Sequence, residues 1–367
     1  MSEPPQSTTP RSNATSGRLI SSLEGEDSGE PDPLEPFSTL GVHSDEISLI
    51  RSFTKSFYDV KSQYATPDYS DDCAVFMPPR DRTLLITTDA LAQGVHFDLH
   101  WDSLKEIGVQ AAVVNLSDLA ASGAEPLALL WSLSIPKTMQ LEDLGQLAEG
   151  FALISSLTEC PVIGGNVLSR DGGLEIHVTA IGAAYHTPIT RRGAQPGDYV
   201  YVTGELGLRA LGYLYPSRES RTLRHQWRPH LAESRTLSLW GEVTAMIDVS
   251  DGLIIDASRL AESSQVMIEL DTSIIPTPNE ERLNVLPQAL SLENIRKAAL
   301  YGGEDYVLLF TAPADCPPPQ EVNAIKIGRC SVLQADQSNF FVKLDGEALS
   351  HDQVQGTGYL HRFEGLR

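Results

Sequence analysis

Hydrophobic and polar positions divide the chain into a polar opening segment and a long patterned remainder. Residues 1–44 are rich in Ser, Thr, Pro and Glu and contain few aliphatic side chains, which predicts a disordered tail. From residue 45 onward, stretches with helical and strand periodicity follow one another without a strict strand–helix–strand rhythm. This order predicts an α/β protein with mixed sheets and two domains. We place the domains at 45–186 and 187–367, because the turn-rich run 189–198 looks like the entry to the second.

Individual elements follow from the same pattern. The predicted helices are 47–58, 104–122, 141–157 and 253–263. The predicted strands are 73–77, 83–88, 127–135, 162–163, 174–183, 199–203, 245–249 and 306–310. Gly123 is expected to end the helix 104–122. Gly164 and Gly165 are expected to end the strand 162–163. The chain contains no internal repeat, so we expect no repeat architecture.

The charge balance argues against one class of partner. The 367 residues include 27 Lys and Arg against 49 Asp and Glu, a formal net charge of 27 − 49 = −22. Binding to nucleic acid depends on clustered Lys and Arg, so no nucleic acid is expected as the main partner. No run of about 18 uncharged apolar residues occurs, so we also expect no membrane span.

Cysteine spacing and the opening segment predict a cytoplasmic protein. Cys73, Cys160, Cys316 and Cys330 stand too far apart for a CxxC pair or a zinc-ligand spacing, which favours reduced thiols. The opening segment lacks the apolar core of a secretory signal, and its acidic second half is wrong for a transit peptide. Cys73 lies in an apolar run, which predicts a buried structural thiol.

Acidic residues stand at positions where an acid is costly. In the predicted helix 104–122, Asn115, Asp118 and Ser122 share one face of an otherwise nearly apolar helix. No Lys or Arg lies three or four residues from Asp118, so no local ion pair can hold its charge. Its partner must come from elsewhere in the fold, or be a metal.

Other acids follow, precede or interrupt apolar strands. They are Asp71 with Asp72, Asp89, Asp248, Asp251, and Glu304 with Asp305. Asp251 opens a turn into a helix, where free backbone N–H groups favour an anion or a capping side chain. Taken singly, such an acid usually belongs to a turn or cap, and His96 alone is more often a core or edge histidine than a ligand.

Convergence of these acids would require cations. Two like charges about 4 Å apart cost roughly 4 kcal/mol at an effective dielectric of 20, so either the pKa values rise or cations bind. Oxygen ligands without a His or Cys set select Mg²⁺, Mn²⁺ or Ca²⁺. Such a site suits phosphate chemistry. The chain contains neither GxxxxGK[ST] nor GxGxxG, which removes the usual support for a P-loop ATPase, a protein kinase or a Rossmann dehydrogenase.

Several segments together resemble the thiamine-monophosphate kinases. The resemblance covers about residue 45 to the end in the expected order and is carried by SDDCA (70–74), TTD (87–89), GVHF (94–97), NLSDLAASGA (115–124), IDVSDGL (247–253) and GGEDY (302–306). It implies ATP-dependent phosphorylation of thiamine monophosphate to thiamine diphosphate. The implied fold is that of the aminoimidazole-ribonucleotide-synthetase superfamily, with an N-terminal domain whose sheet pairs across a homodimer and a C-terminal α/β domain.

The same resemblance implies the site residues, with ATP and several Mg²⁺ ions in the cleft between the domains. The implied metal ligands are Asp72, Thr87, Thr88, Asp89, Asp118, Asn166, Asp248 and Asp251. The implied ATP contacts are Gly165, Arg191 and Ser250. The implied substrate contacts are His96, Glu304 and Tyr359. No protein nucleophile is required, because a phosphate oxygen of the substrate can attack the ATP γ-phosphorus in line.

The chain departs from the family pattern at two positions. Gly-Asp-Asp is replaced by SDD at 70–72, and Gly-Gly-Asp by GGN at 164–166. Asn166 still offers a carbonyl oxygen but removes one negative charge, which would lower metal affinity or leave one ion absent. Asp171 could compensate, although a hairpin turn explains it better.

Alternatives remain open at this stage. One is a catalytically weakened homologue that binds nucleotide or thiamine phosphate; another is a different enzyme of the superfamily, with the aminoimidazole synthetase as runner-up on fold alone. Hydrogenase-maturation relatives lose support because the chain lacks their cysteine-bearing tail, and selenide, water dikinases because no reactive cysteine stands in a Gly-rich N-terminal segment. An Arg-rich stretch at 218, 221, 224, 228 and 235 is either a phosphate-attracting patch or, as we prefer, a solvated helix face.

Overall fold

Two mixed β-sheets form in order along the chain. The computed structural model describes residues 54–57, 60, 62–66, 72–217, 219–286, 290–334 and 341–355. The predicted tail, Tyr359 and most of the predicted helix 47–58 lie outside the described residues; the described part of that helix is a 3-10 helix, Lys55–Phe57. The prediction of an α/β protein with mixed sheets is confirmed.

The first part of the chain builds a four-stranded sheet, a two-stranded sheet and two helices. Their bounds are β1 (Ala65–Thr66), β2 (Val75–Phe76), β3 (Leu84–Ala92), α1 (Leu104–Ala121), β4 (Ala124–Pro136), α2 (Leu141–Leu157), β5 (Val162–Arg170) and β6 (Glu175–Ala184). The four-stranded sheet has the order β3-β6-β4-β5, and β1 pairs with β2. Only the β4–β5 pair of the larger sheet is parallel.

Helix α1 begins and ends where the sequence predicts. A capping box fixes its start: the Ser103 side chain accepts from the Glu106 N–H, and the Glu106 carboxylate accepts from the Ser103 N–H. Gly123, at φ +69°, follows its end. Most of its residues are buried, as expected for a helix that is apolar on nearly every side.

The two faces of the four-stranded sheet differ. Helices α1 and α2 pack on one face, in a core that includes Trp131, Leu133 and Phe151. The opposite side, which we call the outer face, carries Ile86 and Asn166 and is covered in part by the β1–β2 pair. Ile86 is 69% exposed, so this face presents apolar surface to solvent.

The second part of the chain builds a seven-stranded sheet. Its strands are β7 (Tyr199–Val202), β8 (Ala245–Asp248), β9 (Val266–Leu270), β10 (Leu308–Ala312), β11 (Ile325–Val332), β12 (Val342–Leu344) and β13 (Glu347–Ala348), in the order β13-β12-β9-β11-β7-β10-β8. Its helices are α3 (Leu208–Leu214), α4 (Arg221–Arg224), α5 (Leu231–Trp240), α6 (Leu253–Ser264), α7 (Glu280–Leu283), α8 (Leu292–Tyr301) and α9 (His351–Gln355), with a 3-10 turn at Gln320–Val322.

Helix α1 also contacts this second sheet. Ala120 and Ala121, at its C-terminal end, share a core with Met246 of β8 and Phe310 of β10. On the other face of the seven-stranded sheet, α6 and α8 bury their apolar sides. The acid-bearing end of α1 is therefore held between the two sheets.

Three predictions about local structure are wrong. Strand β5 does not end at Gly164 and Gly165 but continues to Arg170, because its pairing with β4 continues along the whole length. Cys73 is exposed, because β2 is short and lies at the outer face. Asp171 is not in a hairpin turn, since β4 lies between β5 and β6; its carboxylate forms an exposed ion pair with Lys137 at 3.0 Å.

None of the helices in the described ranges is both long enough and apolar enough to cross a membrane.

Candidate active site

Carboxylates from three elements meet around one cavity. Asp89 lies on β3, Asp118 on α1 and Asp248 at the end of β8. The cavity has a volume of about 260 Å³ and is lined by Thr87, Asp118, Arg191 and Asp248, among others. Asp89 does not line this cavity but interacts electrostatically with Asp118, and we call the cavity together with Asp89 the acidic pocket. Of the two alternatives left open for Asp118, a partner from elsewhere in the fold or a metal, the structure shows the first, in the Thr87 hydroxyl and the Arg191 charge.

Hydrogen bonds from neighbouring hydroxyl groups hold two of these carboxylates. The Thr87 hydroxyl donates to Oδ2 of Asp118 at 2.5 Å. The Ser117 hydroxyl donates to Oδ2 of Asp248 at 2.7 Å, joining α1 to β8. One turn before Asp118, the amide oxygen of the buried Asn115 accepts from the Asp89 N–H at 3.0 Å. The helical face predicted from Asn115 and Asp118 therefore docks directly on β3.

Burial and mutual repulsion raise the pKa values of these acids. Desolvation, followed by the charge of Asp118, raises the pKa of Asp248 to about 7. Desolvation, followed by the charges of Asp118 and Asp251, raises the pKa of Asp89 to about 6. The pKa of Asp118 is raised by desolvation, while the Thr87 hydrogen bond and the Arg191 charge lower it. The acids are therefore close enough to oppose one another's ionisation.

The turn from β8 to α6 is organised by an acid that the sequence reasoning missed. Oδ2 of Asp256, in the first turn of α6, accepts from the N–H groups of Ser250, Asp251 and Gly252 at 2.9–3.1 Å. Arg259 bridges Asp251 and Asp256, at 2.5 and 2.8 Å. Of the two options predicted for this turn, an anion or a capping side chain, the fold uses the side chain. An acid one turn into a helix is the signal that could have revealed it.

A second cavity, of about 460 Å³, lies beside the first. We call it the aromatic pocket; its lining includes Val95, His96, Phe97, Trp101, Asp102, Tyr213, Arg224 and Glu304. Nδ1 of His96 accepts from the Ala92 N–H at 3.1 Å, which leaves the ring proton on Nε2. Asp251 interacts electrostatically with both Asp89 and Glu304, so the two pockets share this neighbour.

Buried ion pairs support the wall of the aromatic pocket. Asp102 accepts from His225 at 2.9 Å and faces the guanidinium of Arg224, whose side chain is 1% exposed. Arg221 pairs with Glu106 in the first turn of α1. The preferred interpretation of the arginine stretch as a solvated helix face is therefore wrong at Arg224, which cross-links α4 to the loop before α1; Arg218 lies outside the described residues.

Other implied site residues lie away from the acidic pocket. The Thr88 hydroxyl donates to the Val178 carbonyl at 2.8 Å and pairs with Thr179 on the outer face. Asn166 is exposed on the same face, opposite Ser132. Gly165 is packed so closely that a Cβ would lie 2.0 Å from the Trp131 carbonyl oxygen. Within one chain, these residues do not join Asp118.

The remaining implied residues flank the cluster. Asp72 is exposed just before β2, and Arg191 is exposed at the acidic pocket. The Ser250 carbonyl accepts from the Glu304 N–H at 2.6 Å, which ties the two loops together. In the part of the chain that the structure describes, no group of three or more His, Cys, Asp and Glu side chains is preassembled to hold a metal ion. The acids lie close together in pairs and do not form a complete set of metal ligands.

Comparison with known families matches both sheets of the chain. Residues 70–184 match the model of the AIR synthase related protein N-terminal domain, and residues 195–315 match the C-terminal domain. The chain is 31% identical to the thiamine-monophosphate kinase of Bacillus subtilis (strain 168) over 280 residues, 73% of this chain and 83% of that protein.

Solved structures are similar in sequence and fold. The crystal structure of thiamine-monophosphate kinase from Stenotrophomonas maltophilia K279a has a TM-score of 0.69 and 28% identity, covering 83% of this chain and 96% of that one. AaThiL complexed with AMPPCP and TMP has a TM-score of 0.65 and 26% identity over the same shares.

The two domain matches define the class. The matches to the N-terminal and C-terminal domain models together span more than half of the chain, so the chain is an AIR synthase related protein. Within that class, the chain belongs to the thiamine-monophosphate kinase family.

Proposed function

We propose that the protein transfers the γ-phosphoryl group of ATP to thiamine monophosphate, giving thiamine diphosphate and ADP. The observation that carries the proposal is an oxygen-lined acidic pocket beside an aromatic pocket, in a chain of this family. The complex of AaThiL with AMPPCP and TMP is consistent with this pair of substrates. The proposed compartment is the cytoplasm, where free thiols such as those of Cys160 and Cys330 persist.

The acidic pocket has the chemistry that Mg²⁺ requires. Its donors are the carboxylates of Asp89, Asp118 and Asp248 and the hydroxyl of Thr87, all of them oxygen. The raised pKa values reflect a repulsion that a bound dication would relieve. When bound, Mg²⁺ supplies charge neutralisation of the phosphate oxygens and alignment of the transferring group. The full proposed ligand set is Asp72, Thr87, Thr88, Asp89, Asp118, Asn166, Asp248 and Asp251, of which Thr88 and Asn166 lie on the outer face within one chain and so do not join Asp118 there.

The residues of the chain bind and orient the two substrates. We assign Arg191, Gly165 and Ser250 to ATP, since the Arg191 guanidinium already acts on Asp118 and Asp248. We assign His96 and Glu304, which line the aromatic pocket, and Tyr359 to thiamine monophosphate. A phosphate oxygen of the acceptor attacks the γ-phosphorus, and the bond to the β-phosphate oxygen breaks with its electron pair leaving on ADP. No side chain needs to act as nucleophile.

We also propose a homodimer formed through the outer face. Ile86, Leu84 and Leu168 are exposed there, and such apolar patches mark interaction sites. Pairing of this face would place Asn166 and Thr88 at a subunit boundary.

Ile86→Asp is expected to convert the dimer to a monomer in light scattering, because a buried charge at the interface would be unpaired. Val332→Asp, at a 67% exposed position in β11, is the control that should stay dimeric.

A coupled ADP-release assay with thiamine monophosphate, ATP and Mg²⁺ tests the activity. Turnover that depends on all three supports the proposal. A second candidate, a weakened binding homologue, is favoured by the neutral Asn166 and its position away from Asp118. Absence of turnover in the natural chain together with its recovery in Asn166→Asp would establish that second candidate instead.

A further inference from the structure

Gln110 and Glu304 meet across the junction between the two parts of the chain. Gln110 is fully buried on α1, eight residues before Asp118. Its Nε2 lies 3.4 Å from Oε1 of Glu304, which reaches in from the segment before β10. Glu304 adopts a left-handed backbone conformation, φ +66°, and lines the aromatic pocket. The pair therefore connects the acid-bearing helix to that pocket.

Two buried oxygen atoms of this pair lack hydrogen-bond partners. Within the described ranges, neither Oε1 of Gln110 nor Oε2 of Glu304 has one. If Glu304 is ionised, both atoms are acceptors without a donor, which is unfavourable in a buried site. One proton on Oε2 would remove both deficits, with that O–H donating to Oε1 of Gln110 while Nε2 donates to Oε1 of Glu304. Such an arrangement pairs a carboxylic acid with an amide.

The charged groups around Glu304 shift its pKa in opposite directions. Burial raises the pKa of Glu304 to about 7, and the charges of Asp102 and Asp251 raise it as well. The Arg209 guanidinium and the Tyr213 hydroxyl, both from α3, lower it. Desolvation also raises the pKa values of its sequence neighbours Asp305 and Tyr306, and Arg209 donates to the Glu304 backbone carbonyl.

We propose that Gln110 is a positioning residue that holds Glu304 at the aromatic pocket as a neutral carboxylic acid. The pair itself is independent of the reaction, whereas its consequence for the substrate rests on the proposed function. The thiazolium ring of thiamine is a permanent cation, and a cation beside Glu304 favours the carboxylate. Substrate binding then releases the Glu304 proton to solvent, so thiamine monophosphate binds more tightly as the pH rises.

Infrared spectroscopy of the full, ligand-free chain between about pH 5 and pH 9 tests the pair directly. The natural chain should show protonated carboxyl C=O absorption that titrates near neutrality, and Glu304→Gln should remove the part that belongs to Glu304 while leaving the contributions of Asp248 and Asp305. Gln110→Lys supplies a cation, ionises Glu304 and should remove the same part of the absorption as Glu304→Gln does. Should that variant fail to fold, Gln110→Met should shift that part, because the amide partner is gone. A spectrum unchanged by Glu304→Gln overturns the proposal, whatever the outcome of the kinase assay.

The pH profile of KM separates positioning from a merely structural role. Loss of one proton with a pKa of about 7 should lower KM for thiamine monophosphate about tenfold between pH 6 and pH 8. The substrate phosphate also titrates in this range, so the test is the difference from Glu304→Gln, in which that part of the dependence should vanish. Equal pH profiles in both proteins would contradict the functional consequence while leaving the infrared result to decide the pair.

Discussion

Asp118 shows how one side chain depends on partners far away in sequence. Its hydrogen bond comes from Thr87 on β3, and the opposing cation is Arg191, beyond the end of β6. Nothing within its own helix balances its charge. The residue is therefore held by the fold, and its chemical role belongs to the acidic pocket rather than to α1.

Asp118→Asn is expected to lower kcat at least about 100-fold while the protein stays folded, since it removes one charge from the site that we propose stabilises the transferring phosphoryl group. The amide keeps the shape of the side chain and relieves repulsion with Asp248. The ADP-release assay and circular dichroism together check this. Asp171→Asn, a matched change in an exposed ion pair, should remain fully active. Full activity of Asp118→Asn, or its unfolding, would contradict the assigned role.

Helices α1 and α2 approach each other through glycine. A Cβ on Gly108 would lie 2.1 Å from the Leu147 carbonyl oxygen, and one on Gly150 would lie 1.8 Å from the Lys105 carbonyl oxygen. No side chain fits at either contact. The close approach fixes the height of α1 on the sheet, and with it the position of Asp118.

Gly108→Ala is expected to destabilise the protein by about 1–3 kcal/mol, because the methyl group forces the two helices apart. Gly145→Ala is the matched control on α2, where an added Cβ meets nothing within 4 Å. That change should stabilise the protein by about 0.5–1 kcal/mol through helix propensity alone. Urea denaturation measures both, and equal effects of the two substitutions would refute the close contact.

Local signals predicted some elements and long-range contacts decided others. The capping box at Ser103 and the stop at Gly123 are local, so α1 was predicted almost to the residue. Strand β5 was predicted too short, because its continuation through Asn166 depends on pairing with β4. For the same reason the sequence pattern identified Asp118 and Asp248 but could not reveal that Asp256 holds the neighbouring turn or that Asn166 faces away.

The whole molecule carries buried acids whose pKa values are raised, and this sets the sign of its pH dependence. The folded pKa values of Asp248 and Glu304 are about 7, and that of Asp256 is about 6, above their unfolded values near 4. Their contribution to stability is fully present below about pH 4 and is lost as the pH rises through 6 to 7. Asp102 and Glu106 have lowered pKa values and act in the opposite direction, at more acidic pH.

Without divalent cations, the protein is therefore expected to be more stable at about pH 5.5 than at pH 8, by more than about 1.4 kcal/mol, the equivalent of one pKa unit. Urea midpoints in a chelating buffer measure this difference. Asp248→Asn should reduce it, because one raised group is removed. Addition of Mg²⁺ at pH 8 should recover part of the loss by mass action. A metal-free protein that grows more stable from pH 5.5 to pH 8 would contradict the expectation.

The turn held by Asp256 has a consequence for how a nucleotide is bound. Three main-chain amides that could have gripped an incoming anion are already engaged by a side chain of the same protein. A nucleotide therefore gains little from the backbone here, unlike in enzymes with glycine-rich phosphate loops. With the proposed Mg²⁺ site, its retention would depend on bound magnesium rather than on backbone amides. Flux through the proposed reaction would then follow the magnesium status of the cell.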